Sequence, residues 1–305
     1  MDPIAQLARA PQLLRADNLT PPTRTPWGGV CIVERYKAGL DLGAIGGRVG
    51  ESWEVSVEPS FPSVLQDIPL TLAEAIVAAP VLWLGEAVAA RHGDQTPLLV
   101  KLLDTAAALS VQVHPGADDP DLGPDESGKP EAWIILDAAA GAGIYLGFAD
   151  GVEQSDVRDC LAAGGRLDAL LNFVPVRAGD AFLITAGTPH AIGPGVTLIE
   201  PQLVTPGRRG VTCRFWDWNR RYDAQGALDP AGRPRPLHVE RSLAMTDWSA
   251  PRGLAAVQAC RLTPEVQRWG DFSRDRLAGV PWCEIERWRG SGRFELPESG
   301  TMTAL

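Results

Sequence analysis

Several features are scarce in this sequence, and each shortage argues against a class of protein. The 305 residues contain no long uncharged apolar run and no N-terminal signal pattern, so we expect neither membrane spans nor secretion. Lys and Arg total 28 against 38 Asp and Glu, and the net charge of −10 argues against nucleic acid and anionic membranes as partners. A small anionic ligand held by a few local cations stays possible.

Cysteine is also scarce, and its pattern indicates the compartment. The five cysteines, at 31, 160, 213, 260 and 283, are odd in number and form no CxxC pair. This usage favours a reducing cytoplasm over a disulfide-bonded scaffold, and it supplies no typical cysteine metal site. Neither GxGxxG nor GxxxxGK[ST] occurs, which argues against a nucleotide-binding α/β fold.

Glycine and proline, by contrast, are plentiful and separate many short apolar segments. Evenly spaced short strands predict a mainly β fold, a sandwich or a small barrel. Thr71 and Glu74 form the sequence of a capping box and predict a helix start, and a second short helix is expected at 81–90. The predicted strands between 98 and 199 are 98–102, 109–114, 132–136, 142–146, 174–176, 180–185 and 196–199.

The chain divides into three predicted regions. Residues 1–26, with a proline-rich end, form an N-terminal arm, and residues 27–245 form the main domain with a helical insert at about 151–172. From residue 218 to about 254 the sequence is polar and proline-rich and is interpreted as a connector or lid with one short helix at 239–245. Residues 246–305 form a short C-terminal β region with strand patterns at 283–288 and 293–296, too short to close a second complete barrel.

Two of the four histidines lie in segments suited to metal binding. In a strand at 109–114, alternation places Gln112 and His114 on the same face. His190 follows the strand 180–185 and a glycine-containing turn, so it emerges at a strand end. His92 and His238 have no comparable surroundings and are interpreted as surface or packing residues.

Glu131 lies between these segments, where Gly128-Lys129-Pro130 leads into an apolar strand. A carboxylate at the mouth of a buried strand needs a partner or a cation. Gln112, His114, Glu131 and His190 together make a plausible four-ligand site for a borderline divalent ion, and zinc is the first choice for imidazole plus carboxylate.

Seven sequence blocks, in order, resemble the type I mannose-6-phosphate isomerase family. Gln112-x-His114 stands where cupins in general have His-x-His, and the turn before His190 resembles the second histidine motif of cupin barrels, with Thr185 in place of its frequent proline. The blocks are WGG at 27–29, GESWEVS at 50–56, PLLVKLLD at 97–104, LSVQVHP at 109–115, GKPEAW at 128–133, AGDAFLITAGTPHAIG at 178–193 and RFWDWNR at 214–220.

This resemblance implies a cupin (jelly-roll) barrel that binds one Zn²⁺ per chain through the same four residues. It also implies a cytoplasmic enzyme that interconverts mannose 6-phosphate and fructose 6-phosphate through an enediol. Glu200 matches a family active-site glutamate and is the candidate for proton transfer. Lys129 and Arg214 match cationic positions of the cleft, as does Lys101, and Ser110 is a further candidate for substrate or metal contacts.

Two departures from the family pattern leave alternatives open. The segment 201–213 is about four residues longer than the family's, so Arg208 or Arg209 is an alternative to Arg214 as the phosphate cation. A cupin iron oxygenase is a second hypothesis, because two histidines and one carboxylate also form a facial triad. A non-catalytic sugar-binding cupin is a third. The sequence leaves monomer and homodimer open.

Overall fold

The computed structural model describes residues 3–40, 47–280, 283–293 and 301–304. Within them the chain forms seven α-helices, one turn of π-helix at Ile32–Tyr36 and one 3₁₀ turn at Leu167–Leu170. The α-helices are α1 Pro3–Leu7, α2 Leu72–Ala78, α3 Pro80–Leu84, α4 Glu86–His92, α5 Gln154–Ala162, α6 Val239–Met245 and α7 Gly253–Cys260. None of the described helices is long and apolar enough to cross a bilayer.

Fifteen strands make up most of the regular structure in the described residues. They are β1 Glu51–Val55, β2 Leu98–Asp104, β3 Val111–Val113, β4 Glu126–Ser127, β5 Glu131–Ala138, β6 Gly143–Phe148, β7 Leu171–Pro175, β8 Ala181–Ile184, β9 His190–Ile192, β10 Val196–Leu203, β11 Arg209–Gly210, β12 Cys213–Trp216, β13 Glu265–Trp269, β14 Phe272–Val280 and β15 Cys283–Arg289.

Two five-stranded antiparallel sheets dominate the fold. The first has the order β1-β2-β10-β5-β8 and the second β12-β3-β9-β6-β7. Neighbours in each sheet are far apart in sequence, as in a jelly roll. Side chains from both sheets share one core, including Trp133, Phe182 and Leu198 from the first and Ile144 and Leu146 from the second. The predicted mainly β fold is confirmed.

The predicted capping box of α2 is present in full. Thr71 Oγ1 accepts from the Glu74 backbone N–H at 3.2 Å, and the Glu74 carboxylate accepts from the Thr71 N–H at 2.9 Å. The helix predicted at 81–90 is instead two helices. Gly85 separates α3 from α4 with φ 79°, a left-handed conformation that the sequence pattern did not indicate.

The helical insert lies where it was predicted, with α5 and the 3₁₀ turn inside 151–172. Helix α6 also matches its predicted range, whereas α7 was not predicted, because residues 246–305 were interpreted as a β region. The predicted division at residues 26 and 245 stays a prediction. In the structure the arm packs on β1, where the Trp53 backbone carbonyl accepts from Asn18 Nδ2 at 3.0 Å.

The C-terminal β region is a three-stranded antiparallel sheet, β13-β14-β15. Asp275, 3% exposed in its side chain, pairs there with Arg287 at 2.8 Å and with Arg289. The strand predicted at 283–288 is confirmed as β15. The one predicted at 293–296 lies outside the described residues beyond Arg293.

Candidate metal and active site

The two histidines singled out in the sequence meet between the two large sheets. His114 directly follows β3 and His190 begins β9, and Gln112 lies opposite His190 in the ladder that joins these strands. The Nε2 atoms of the two imidazoles are 3.1 Å apart, and both residues are 2% exposed. The Gly187 N–H also donates to the His114 carbonyl at 2.9 Å, so the two segments are joined through the backbone.

Each imidazole is fixed by a backbone carbonyl on its other nitrogen. His114 Nδ1 lies 2.9 Å from Val211 O, and His190 Nδ1 lies 2.8 Å from Thr188 O. A carbonyl can only accept, so both Nδ1 atoms carry hydrogen and both neutral rings turn their Nε2 lone pairs toward each other. Burial lowers the pKa of His114 to about 3 and also lowers the pKa of His190, which keeps both rings neutral.

Glu131 comes from the opposite sheet, at the start of β5, and completes the cluster. Its carboxylate oxygens lie 3.5 Å from His114 Nε2 and 3.4 Å from His190 Nε2. The three side chains offer ligand atoms within 4.8 Å of one another. Two facing lone pairs beside a carboxylate repel each other unless a cation lies among them, so this donor set fits a divalent metal.

Lys129 balances part of the negative charge of this cluster. Its Nζ lies 3.1 Å from Glu131 Oε2, and its side chain is 12% exposed. Burial opposes the charged ammonium, but the carboxylates of Glu131 and Glu200 outweigh it and raise the pKa of Lys129. The charge of Lys129 in turn holds the pKa of Glu131 well below its usual range despite burial.

Glu200 lies on β10, the central strand of the first sheet, and its pKa moves in the opposite direction to that of Glu131. One carboxylate oxygen accepts from Trp133 Nε1 at 3.0 Å and the other accepts from Gln202 Nε2 at 2.7 Å. Burial, followed by the negative charge of Glu131, raises the pKa of Glu200 to about 8. A carboxyl with such a pKa can accept and return a proton near neutral pH.

The remaining predicted residues divide between the two sheets. Lys101, opposite Glu200 in the β2–β10 ladder, places its ammonium 4.3 Å from the centre of the Trp53 ring. Arg214, opposite Gln112 in the β3–β12 ladder, donates from Nε to Ser110 Oγ at 3.0 Å. Burial lowers the pKa of Arg214. Arg214 and Ser110 therefore form one hydrogen-bonded pair, whereas Lys101 lies beside Glu200 in the first sheet.

The segment 204–212 after β10 is held beside the site by strand pairing and an ion pair. Its strand β11 pairs in parallel with β4, and the guanidinium of Arg209, 76% exposed, pairs with Glu126 at 3.1 Å. Val211, just after β11, supplies the carbonyl that orients His114. This segment thus supports the histidine, and Arg209 has its own carboxylate partner.

Sequence reasoning missed two polar residues of the site. Trp133 and Gln202 both donate to Glu200, and Gln202 also donates to Glu131. Strand alternation is the signal that could have identified them, because Trp133 follows Glu131 by two positions and Gln202 follows Glu200 by two. Each therefore lies on the same face as a residue that was already a candidate.

Fold and site together define a cupin-type protein with a buried histidine–carboxylate cluster that could hold a metal ion. Residues 27–145 match the family model "Phosphomannose isomerase type I, catalytic domain". The mannose-6-phosphate isomerase of Streptococcus mutans is 30% identical over 278 residues, which is 90% of this chain and 78% of that protein. The chain belongs to the type I mannose-6-phosphate isomerase family.

Solved structures agree on the fold. The mannose 6-phosphate isomerase of Bacillus subtilis aligns with a TM-score of 0.70 at 22% identity, covering 92% of this chain and 79% of that one. A zinc-bound mannose 6-phosphate isomerase aligns with a TM-score of 0.57 at 17% identity, covering 87% and 83%. At these identities the likeness concerns the fold.

Proposed function

We propose that this protein is a zinc-dependent isomerase that interconverts mannose 6-phosphate and fructose 6-phosphate. The observation that carries the proposal is the approach of His114 Nε2 and His190 Nε2 to 3.1 Å, with the Glu131 carboxylate within 3.5 Å of both. The relatives that carry this activity in their names support the substrate, and the zinc-bound neighbour of the same fold supports the metal.

His114, His190, Glu131 and Gln112 would hold one zinc ion per chain. Gln112 is half-buried and lies in register with His190, which places it at the same end of the ladder. The bound ion would supply Lewis-acid stabilisation of the negative charge that develops on the substrate's oxygens, an effect worth several kcal/mol. The carbonyls of Val211 and Thr188 hold the two imidazoles in the tautomer that such a ligand needs.

Glu200 would move the proton between the carbons of the substrate. In the aldose-to-ketose direction the C2–H bond breaks, a C1–H bond forms, and one proton passes from O2 to O1. Glu200 would take the proton from C2 and return it to C1. Trp133 and Gln202 hold its two oxygens in place, and its pKa of about 8 suits both halves of this transfer.

The cations around the site would bind the substrate's phosphate and oxygens. Lys129 stays charged beside Glu131, Arg214 is aligned by Ser110, and Lys101 lies next to Glu200 in the ladder. We assign substrate contacts to Lys101, Ser110, Lys129 and Arg214. Arg214 is preferred to Arg209 as the phosphate cation, because Arg209 is exposed and paired with Glu126.

The protein would work in the cytoplasm on a small sugar phosphate and not on nucleic acid or membranes. Its five cysteines are unpaired, as a reducing compartment requires, and the net charge of −10 opposes binding to polyanions.

A coupled assay of fructose 6-phosphate formed from mannose 6-phosphate tests the proposal. We expect turnover that disappears on chelation, returns with zinc, and is absent in His190→Ala and Glu131→Ala. His92→Ala is the matched control, because it removes a histidine at the end of α4, and it should keep full activity.

Two results would contradict the proposal. A folded, zinc-loaded protein without turnover would favour a non-catalytic sugar-binding cupin. Turnover that survives complete metal removal would contradict the role of the ion.

A further inference from the structure

Gln202 lies at the centre of the site but belongs to neither the predicted ligands nor the predicted catalytic groups. It follows Glu200 by two positions on β10, and its partner in the neighbouring strand is Glu131. The residue is 0% exposed. A glutamine buried this completely needs hydrogen-bond partners for its amide, since an unpaired buried polar group is costly.

Both hydrogens of the Gln202 amide nitrogen are directed at carboxylates. Nε2 donates to Glu131 Oε2 at 2.8 Å and to Glu200 Oε2 at 2.7 Å. The opposite amide orientation would turn a carbonyl oxygen toward two carboxylates and leave both without this donor, so the hydrogen-bond network fixes the orientation. One side chain thus links the carboxylate nearest the two histidines to the one with the raised pKa.

We propose that Gln202 is a positioning residue that holds Glu131 for metal binding and Glu200 for proton transfer through its two N–H groups. The inference rests on the proposed function, because it assigns a task to a residue that contacts the proposed ligand and the proposed base. Groups that orient metal ligands in this way commonly change metal affinity or activity about 10- to 100-fold when they are removed.

The carbonyl of the same amide argues against a purely structural role. Gln202 Oε1 is buried and accepts no hydrogen bond from any residue that the structure describes. A core position selected only for packing would be better filled by an apolar side chain of the same length. The two donated hydrogen bonds are therefore the feature that explains a glutamine here.

The test compares Gln202→Met with Thr197→Val. Methionine keeps the length and unbranched shape of glutamine but removes both donors. Thr197 lies on the same strand, is 2% exposed, and donates to Asp104 Oδ1 at 3.1 Å away from the metal cluster, so its loss reports on strand stability alone. Zinc affinity is measured by competition with a chromophoric chelator, and kcat and KM are measured in the coupled assay.

We expect Gln202→Met to weaken zinc binding and to lower kcat, each about 10- to 100-fold, with KM for mannose 6-phosphate within about twofold of the parent. Thr197→Val should change neither quantity by more than about twofold. The inference is wrong if both quantities stay within twofold in Gln202→Met, or if Thr197→Val lowers them equally. A parent protein that binds zinc but does not turn over would instead contradict the proposed function.

Gln202→Asn provides a second variant if the methionine protein is insoluble. Its amide is one methylene shorter and can reach only one of the two carboxylates. An intermediate loss of zinc affinity supports the proposal that Gln202 holds both carboxylates, and parental affinity with parental kcat overturns it.

Discussion

Glu131 and Glu200 share the donor Gln202, but their pKa values move in opposite directions. The difference comes from their other neighbours. Glu131 lies 3.1 Å from Lys129 Nζ, so its charge is compensated. Glu200 is buried next to that charge and resists ionisation. Two carboxylates in one site thus acquire different affinities for a proton from their environments.

Replacing Glu200 by glutamine should separate proton transfer from metal binding. The variant keeps the shape of the side chain but cannot exchange a proton, so we expect kcat to fall about 10²- to 10⁴-fold. Zinc affinity should stay near that of the parent, because Glu200 is not among the proposed ligands. Steady-state kinetics and a zinc titration check both points.

Glu240→Gln is the matched control for this variant. Glu240 is exposed on α6, where it pairs with Arg158, and its replacement should leave kcat unchanged. A Glu200→Gln enzyme with kcat within tenfold of the parent would remove Glu200 from the chemical step.

At the scale of elements, the turn between β8 and β9 sets the position of His190. Gly187 adopts φ 75°, donates its N–H to the His114 carbonyl and accepts from the Asp247 N–H at 3.0 Å. A Cβ at this position would lie 2.8 Å from Asp247 N, which is closer than real contacts allow. The turn therefore needs glycine for both its conformation and its packing.

Gly187→Ala should consequently weaken both the fold and the metal site. We expect a loss of about 2–4 kcal/mol in unfolding free energy, from left-handed strain together with overpacking. Displacement of the His190 turn should also weaken zinc binding at least about tenfold. Denaturant unfolding of the metal-free protein and chelator competition measure the two effects.

Gly141→Ala is the control, because Gly141 has φ 78° but a Cβ there would meet no described atom within 4 Å. It should cost about 1–2 kcal/mol from strain alone and leave zinc affinity unchanged. Equal effects of the two variants on zinc affinity would contradict the role of the Gly187 turn.

The elements that the sequence predicted well are those with a local signal. Short apolar runs bounded by glycine and proline located β2, β5 and β10, and the Thr71–Glu74 capping box located α2. The π-helical turn at Ile32–Tyr36 and the break at Gly85 have no such signal, because tertiary packing and a left-handed glycine determine them. Helix α7 was missed because residues 246–305 were interpreted as a β region.

The same distinction holds for the site. His114, Glu131 and His190 were identified from motifs, and the structure brings them together from two sheets. Alternation places Gln202 on the same face as Glu200, but its partners and that of the Val211 carbonyl depend on which strands are neighbours and on the path of the 201–213 segment. Non-local pairing is not encoded in a short window of sequence.

At the scale of the whole molecule, Glu126 joins parts of the chain that are distant in sequence. Its carboxylate pairs with Arg241 of α6 and with Arg209 of β11, and it accepts from the Gly123 N–H at 3.1 Å. The hydrogen bond from Arg241 is the largest cause that lowers the pKa of Glu126 from 4.5 to about 2. This network fastens the β4–β11 ladder next to the site.

Stability should therefore depend on pH through Glu126. A carboxyl whose pKa is lower in the folded state contributes fully above its ordinary value of 4.5, and the contribution is lost as pH falls from there toward about 2. We expect Glu126→Gln to lower the unfolding free energy at pH 7 by about 1 kcal/mol, the upper range for partly exposed pairs. The difference from the parent should shrink below pH 4.5.

Urea unfolding of both proteins between pH 7 and pH 3.5 measures this dependence. A difference that is constant across the range would show that Glu126 acts through packing and not through its charge. Glu240→Gln again serves as the control, because its pair with Arg158 is exposed.

The proposed metal ligands come from both sheets, with the imidazoles from one and the carboxylate from the other. Any transient separation of the sheets would move Glu131 away from the two imidazoles and speed the escape of an ion held among them. The dissociation rate of the bound ion would then measure how often the two sheets separate. Substitution of core residues that pack between the sheets, such as Leu198 and Ile144, should therefore change that rate, although neither residue is among the proposed contacts of metal or sugar.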